Sequence, residues 1–212
     1  MVILAECARN GTLQVPVYLD GMVWDATAIH TTYPEFLSHN LQKQIFHQDI
    51  NPFVGELFKK VSSPNERKEV IESPEAGVVI TTSGMLTGGP VMEYVRELGD
   101  NKKNALVFVG YQAEGTLGSK IQRGFRDIPI QTPDGGLKQM RLELDVETVE
   151  GFSGHSDRNQ LMNFISHLRA RPEKIFTNHG EASKCLNLAS SIHKTFRIET
   201  AVPGNMDATR VR

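Results

Sequence analysis

The stretch "GVVITTSGMLTGGPVMEYVRELG", residues 77–99, holds a continuous apolar run, a glycine-bearing turn and an amphipathic run in immediate succession. Residues 77–82 lack polar-apolar alternation, which suits a strand buried on both faces, as in a parallel sheet. Pro90 sets the backbone angle that a first helical turn needs and Gly99 supplies the stop, so residues 90–98 read as a helix. Strand, tight turn and helix make the opening half of a parallel βαβ unit.

The same order recurs on both sides of this stretch. "VPVYLD" (15–20) is a strand that leads into helical patterning through "GMVWDATAIHTTY" and a second helix, "EFLSHNLQKQIFHQ" (35–48), with Leu37, Leu41 and Ile45 on one face. A loop bearing Pro, Ser and Asn separates it from the strand at 77. "ALVFVG" (105–110) is another apolar strand, followed by a short helix near residues 117–125. In "QMRLELDVE" (139–147), Met140, Leu142, Leu144 and Val146 share one face with polar partners between them, the pattern of a half-exposed antiparallel strand. The tail alternates helix (157–170), strand "KIFTNH" (174–179), helix (181–195) and strand "RIETAV" (197–202). The expected fold class is α/β, a mostly parallel sheet flanked by helices.

With 212 residues, 39% of them apolar, the chain has enough material for one good core or two small ones. A net charge of −2 provides no global basic field, so a nucleic-acid site would have to be a local patch. Cys7 and Cys185 lie far apart behind no signal peptide, which favours free thiols in a reducing cytoplasm. No apolar run approaches the ~20 residues that cross a bilayer. The opening "MVILAECARNGTL" has a helix stop at Asn10-Gly11 but no capping residue ahead of its first turn. It reads either as a chain that begins inside a helix or as a short helix with a frayed start.

In parallel α/β sheets ligands bind outside the carboxyl ends of the strands, and four turns there carry candidate chemistry. Ser83 to Gly89 joins a strand to a helix with glycines that admit an anion close to the backbone. It matches neither the dinucleotide fingerprint nor the P-loop, so it stands as a plain turn or as a phosphate cradle. "VGYQAEGTLGSKIQRGFR" (109–126) repeats the arrangement, with Lys120, Arg123 and Arg126 spaced to form a basic stripe or a solvated face. His155 precedes a helix capped by Ser156 or Asp157, with Gln160 completing a capping-box pair. His179 ends a strand and is followed by Gly180 and Glu181. If the strands ahead of the two histidines are sheet neighbours, ~4.8 Å apart, both imidazoles enter one crevice. "GFSGH" departs from the nucleophile elbow at its fifth residue, which weighs against a serine hydrolase. Two histidines alone are too few for a catalytic zinc.

"VPVYLDGMVWDATAIHTTYP", "VVITTSGMLTGGPVMEYVREL", "VFVGYQAEGTLGSKIQRGFRDI", "EGFSGHSD" and "NHGE", in this order, resemble the β-CASP branch of the metallo-β-lactamase nucleases. The likeness is greatest to archaeal homologues of the endonuclease subunit of the cleavage and polyadenylation specificity factor. The resemblance implies that residues 1–130 are the later part of a β-CASP domain. Residues 131–212 would return into the carboxyl-terminal part of a metallo-β-lactamase αββα fold and end in a dimerisation tail, making a homodimer. It implies that His155 acts beside the scissile phosphate, as general acid or transition-state stabiliser, and that His179 ligates one of two zinc ions. It also implies that Ser83, Gly84, Met85, Gly88 and Gly89 lie along the path of single-stranded RNA, with Glu114, Gly115 and Thr116 as a second such loop and Lys120 beside it.

The family's main metal motif, H-x-H-x-D-H, does not occur in this sequence. The chain is therefore expected to be a piece of a longer nuclease, inactive or nearly so alone. The reading is the RNA-gripping, carboxyl-terminal part of a zinc-dependent RNA endonuclease, with 5′ to 3′ exonuclease action a further option, serving RNA 3′-end formation or transcription termination in the cytoplasm. The alternatives are a non-catalytic RNA-binding or dimerisation module and a nucleotide-binding α/β domain.

Overall fold

The computed structural model describes residues 1–132, 134–152 and 154–209. Ser153 of the "GFSGH" stretch and the last three residues of the proposed dimerisation tail lie outside the described residues. The chain divides into two compact units, Met1–Ser153 and Gly154–Arg212.

The first unit opens with α1 (Val2–Arg9), whose first turn has no side-chain cap. Its central element is β1 (Val17–Asp20), flanked by β2 (Phe58–Val61) and β3 (Val78–Thr81) in a parallel sheet of order β2-β1-β3. The register pairs Val17 with Phe58 and Val78, so the three strands end level. Val17 and Leu19 are fully buried, as a strand covered on both faces requires. Between β1 and β2 run α2 (Met22–Thr32), a short 3-10 turn at Pro34–Phe36, and α3 (His39–Gln48). The single helix expected over residues 35–48 is thus two pieces, because Leu37 and Ser38 are extended.

β2 and α4 (Pro64–Glu72) occupy what reads in sequence as a loop. The helix has the poor apolar periodicity of "PNERKEVIE", yet its start is well encoded. The Ser63 hydroxyl accepts from the Glu66 amide at 3.2 Å, the Glu66 carboxylate accepts from the Ser62 amide at 2.7 Å, and Pro64 occupies the first turn.

α4 is tied to the sheet by charge. Asp20, 2% exposed at the carboxyl end of β1, accepts two bonds from the Arg67 guanidinium, at 2.7 and 3.1 Å, and one from the Tyr94 hydroxyl at 2.9 Å. Arg67 also bonds Glu93 at 2.9 Å. Tyr94 and Glu93 lie on α5 (Val91–Leu98), so one buried network joins β1, α4 and α5. Hydrogen bonding to Asp20 raises the Arg67 pKa above its ordinary value. Burial, followed by the bond to Asp20, raises that of the Tyr94 phenol. A folded-state pKa raised above the ordinary 10.0 means that the stability from this phenol is complete below pH 10 and is lost as pH rises further. Urea midpoints measured through the alkaline range should fall above pH 10, and Tyr94→Phe should flatten that fall.

Beyond α5 come β4 (Ala105–Phe108), α6 (Leu117–Gln122), β5 (Asp127–Gln131), β6 (Leu137–Arg141) and β7 (Asp145–Thr148). β5 and β6 form an antiparallel hairpin, while β7 lies parallel to β4. The antiparallel strand expected over residues 139–147 is therefore two strands in two sheets. The break falls where the Glu143 and Leu144 amides both turn onto the carbonyl of Gly99, at 2.8 and 3.2 Å. The inward alternation survives the break, because Leu142 and Leu144 are both buried. Leu142 joins Leu86, Val91, Val95, Phe108, Ile121, Ile128 and Ile130 in the unit's core. The mostly parallel sheet of the sequence reading is here several small sheets, three of them parallel and one antiparallel among the described residues.

The second unit holds α7 (Arg158–Ser166), β8 (Lys174–Phe176), α8 (Ala182–Phe196) and β9 (Glu199–Ala201), with β8 and β9 parallel. The capping box read from sequence is present. Asp157 accepts from the Gln160 amide at 2.8 Å, and Gln160 accepts from the Asp157 amide at 2.9 Å. No helix among the described residues is long and apolar enough to cross a membrane.

Candidate nucleic-acid interface

The first loop leaves β3 and reaches α5 through Ser83, Gly84, Met85, Leu86, Thr87, Gly88 and Gly89. Its base is closed by the Ser83 amide to the Gly88 carbonyl, at 3.5 Å, and the Val91 amide to the Thr82 carbonyl, at 3.1 Å. Gly89 sits at φ +78, and a Cβ there would stand 3.1 Å from the Thr82 carbonyl oxygen, so the loop's return requires glycine. Leu86 is turned inward as the loop's anchor in the core, and its amide bonds the Ser83 carbonyl at 3.1 Å. The Ser83 and Thr87 hydroxyls lie 3.1 Å apart and bond each other. Gly84 is exposed, with open space where a side chain would project.

The second loop, after β4, runs through Glu114, Gly115 and Thr116 into α6. The structure brings the two loops together. The Gln112 side-chain amide donates to the Gly84 carbonyl at 2.9 Å, and the Gly118 backbone amide donates to the Met85 carbonyl at 3.1 Å. Neither contact is visible as a motif, since one donor is a backbone group and the other a single glutamine.

Within the second loop the Thr116 hydroxyl is engaged as the cap of α6: it accepts from the Ser119 amide at 3.2 Å and donates to the Ala113 carbonyl at 2.6 Å. Glu114 is exposed and stands 3.9 Å from Arg123, a separation at which a solvated pair contributes little. The basic stripe is shorter than its spacing suggests. α6 ends at Gln122, and Arg126 beyond it donates to the Ile121 and Phe125 carbonyls at 2.9 and 3.1 Å, closing the helix end. Lys120 and Arg123 are the exposed cations of this segment.

The two histidines belong to the second unit. His155 lies on an exposed bend ahead of α7. His179 lies between β8 and α8, exposed and at φ +60, a left-handed backbone angle that few side chains adopt. Buried Thr177 holds that turn from beneath: its amide bonds the Ala201 carbonyl at 3.0 Å and its hydroxyl the Cys185 carbonyl at 3.1 Å. β7, ahead of His155, pairs with β4, whereas β8, ahead of His179, pairs with β9.

Among the described residues, no three or more His, Cys, Asp or Glu side chains come together in a way that would hold a metal ion. Zinc takes three or four protein ligands, so His179 and its surroundings do not by themselves fit a zinc site.

Two family models match the sequence. The Beta-Casp domain matches over residues 1–121, and the Zn-dependent metallo-hydrolase RNA specificity domain over residues 139–203. Curated relatives called "Transcription termination factor FttA" are similar along the whole chain: 54% identical in Methanocaldococcus jannaschii, 52% in Thermococcus kodakarensis and 43% in a Lokiarchaeum. Each alignment covers 100% of this chain and 33% of the relative, so the chain spans about a third of the length of the curated relatives it matches.

Proposed function

This chain belongs to the Beta-Casp family, and from that premise we propose that it is the RNA-gripping part of a zinc-dependent ribonuclease, of the endonuclease type and with 5′ to 3′ exonuclease action as a second mode, that acts in RNA 3′-end processing and transcription termination. The observation that carries the proposal is the union of the two loops: Gln112 and Gly118 bond consecutive carbonyls of the Ser83–Gly89 loop. Glycine-rich backbone and an exposed Lys120 suit an extended polyanion.

In this reading Ser83, Gly84, Met85, Gly88 and Gly89 face single-stranded RNA on one loop, and Glu114, Gly115 and Thr116 on the other. Lys120 neutralises a phosphate. His155 donates a proton or stabilises charge at the scissile phosphate. His179 is one ligand of a zinc site whose other ligands come from outside this chain, and nothing assigned to the other residues runs through the metal. Residues 1–130 grip RNA, residues 131–212 return to the hydrolase domain, and the closing segment from residue 196 pairs two copies. The protein works in the cytoplasm, and this chain alone is inactive or nearly so. Names given to the relatives support the step in gene expression, and the description of the second family model supports both RNA and zinc.

Titration of the chain with a single-stranded oligoribonucleotide at several salt concentrations tests the proposal. Binding should weaken steeply with salt, and Lys120→Ala should reduce the log–log slope by about 0.7, the contribution of one phosphate contact on a single strand. Saturable binding of a free mononucleotide with no preference for RNA would favour the nucleotide-domain reading instead, and no RNA binding at low salt would overturn both RNA readings.

A further inference from the structure

Gln112 is nine-tenths buried, and its amide orientation is determined by its neighbours. Nε2 faces two carbonyl oxygens, those of Gly84 at 2.9 Å and Gly110 at 3.3 Å, so exchanging N and O would set three acceptors against one another. Oε1 is consequently turned toward the α-carbon of Gly118, where a Cβ would stand 1.8 Å from it, and it meets no hydrogen-bond donor.

A buried acceptor without a donor costs stability. A methionine, of similar length, would fill the same space without burying that oxygen. What a methionine could not supply is the pair of bonds that Nε2 donates, and the one to Gly84 acts on the first loop. The Gly84–Met85 peptide is planar, so a Gly84 carbonyl held toward Gln112 directs the Met85 N–H to the opposite side of the loop. Exposed Gly84 leaves open space beside this peptide. The Gly118 amide, bonded to the Met85 carbonyl, holds the following peptide in the same sense.

We propose that Gln112 is a positioning residue: it sets the Gly84–Met85 peptide so that the Met85 N–H is presented as a donor to a phosphate oxygen of bound RNA. This rests on the RNA-binding reading above. Gly118 is part of the device, because a side chain there would displace the Gln112 amide. The amide then needs no movement when a phosphate arrives, and its orientation is independent of the charge that Lys120 supplies.

The test compares wild type, Gln112→Met and Lys120→Ala by thermal unfolding, by titration with a single-stranded oligouridylate, and by the Met85 amide signal in ¹⁵N–¹H spectra. Gln112→Met should still unfold cooperatively, yet bind about tenfold more weakly, the worth of one bond to a charged oxygen. Its Met85 amide should no longer shift on binding. Lys120→Ala should weaken binding and keep that shift. Gly118→Ala, which expels the same amide by collision, should reproduce the Gln112→Met result and replaces it if the methionine variant does not fold. Wild-type affinity together with an unchanged Met85 shift in Gln112→Met would overturn the inference and leave RNA binding standing. If wild type itself binds no RNA, the functional reading fails first and the inference with it, a result distinguished by arising before any variant is made.

Discussion

Replacing Arg67 by alanine is expected to lower the unfolding free energy by about 3–5 kcal/mol, the loss typical when one partner of a buried ion pair is removed. Asp20 is the reason. Its carboxylate is 2% exposed and accepts two bonds from Arg67, so removal of the guanidinium leaves a buried negative charge that keeps the bond from the Tyr94 hydroxyl but loses its cation. The same change releases Glu93 and frees α4 from the end of β1. Urea unfolding followed by circular dichroism measures the loss. Asp20→Leu combined with Arg67→Met removes both charges together and should recover much of it, because the double variant no longer buries an unpaired carboxylate. A loss below about 1 kcal/mol for Arg67→Ala would mean that the pair behaves as a solvated surface contact.

The second large effect concerns cleavage by the longer protein of which this chain is proposed to be a part. There His155→Ala is expected to lower the cleavage rate by about 10²- to 10⁴-fold, the usual contribution of a positioned general acid or base. RNA affinity and zinc content should remain close to wild type, since neither is assigned to His155. His179→Ala should lower zinc content along with rate. Single-turnover cleavage of a labelled RNA, with elemental analysis for zinc, separates the two histidines. An unchanged rate in His155→Ala would remove its assigned role, and a parallel loss of zinc would place it among the ligands.

The outcome at residues 137–148 shows where sequence patterning stops. Inward alternation of Met140, Leu142 and Leu144 is legible because a strand sends successive side chains to opposite faces whichever partner it has. The partner is another matter. Residues 137–141 pair antiparallel with β5 and residues 145–148 parallel with β4, and the switch is made by the carbonyl of Gly99, more than forty residues earlier in the chain. Similarly, α4 lacks the apolar stripe by which helices are found, but its Ser-Pro-Asn-Glu start carries a capping signal that periodicity alone passes over.

The sequence by itself determined the alternation of strands and helices, the glycine turns after β3 and β4 and the capping box at Asp157. Each of these is written in local spacing, in residues whose backbone preferences act within a few positions of themselves. Only the tertiary structure decided that Gln112 and Gly118 bond the first loop, that Asp20 is buried against Arg67 and Tyr94, and that the strands before His155 and His179 have different partners. Those contacts join groups far apart in the chain, several through backbone carbonyls common to every residue, so local spacing carries no record of them.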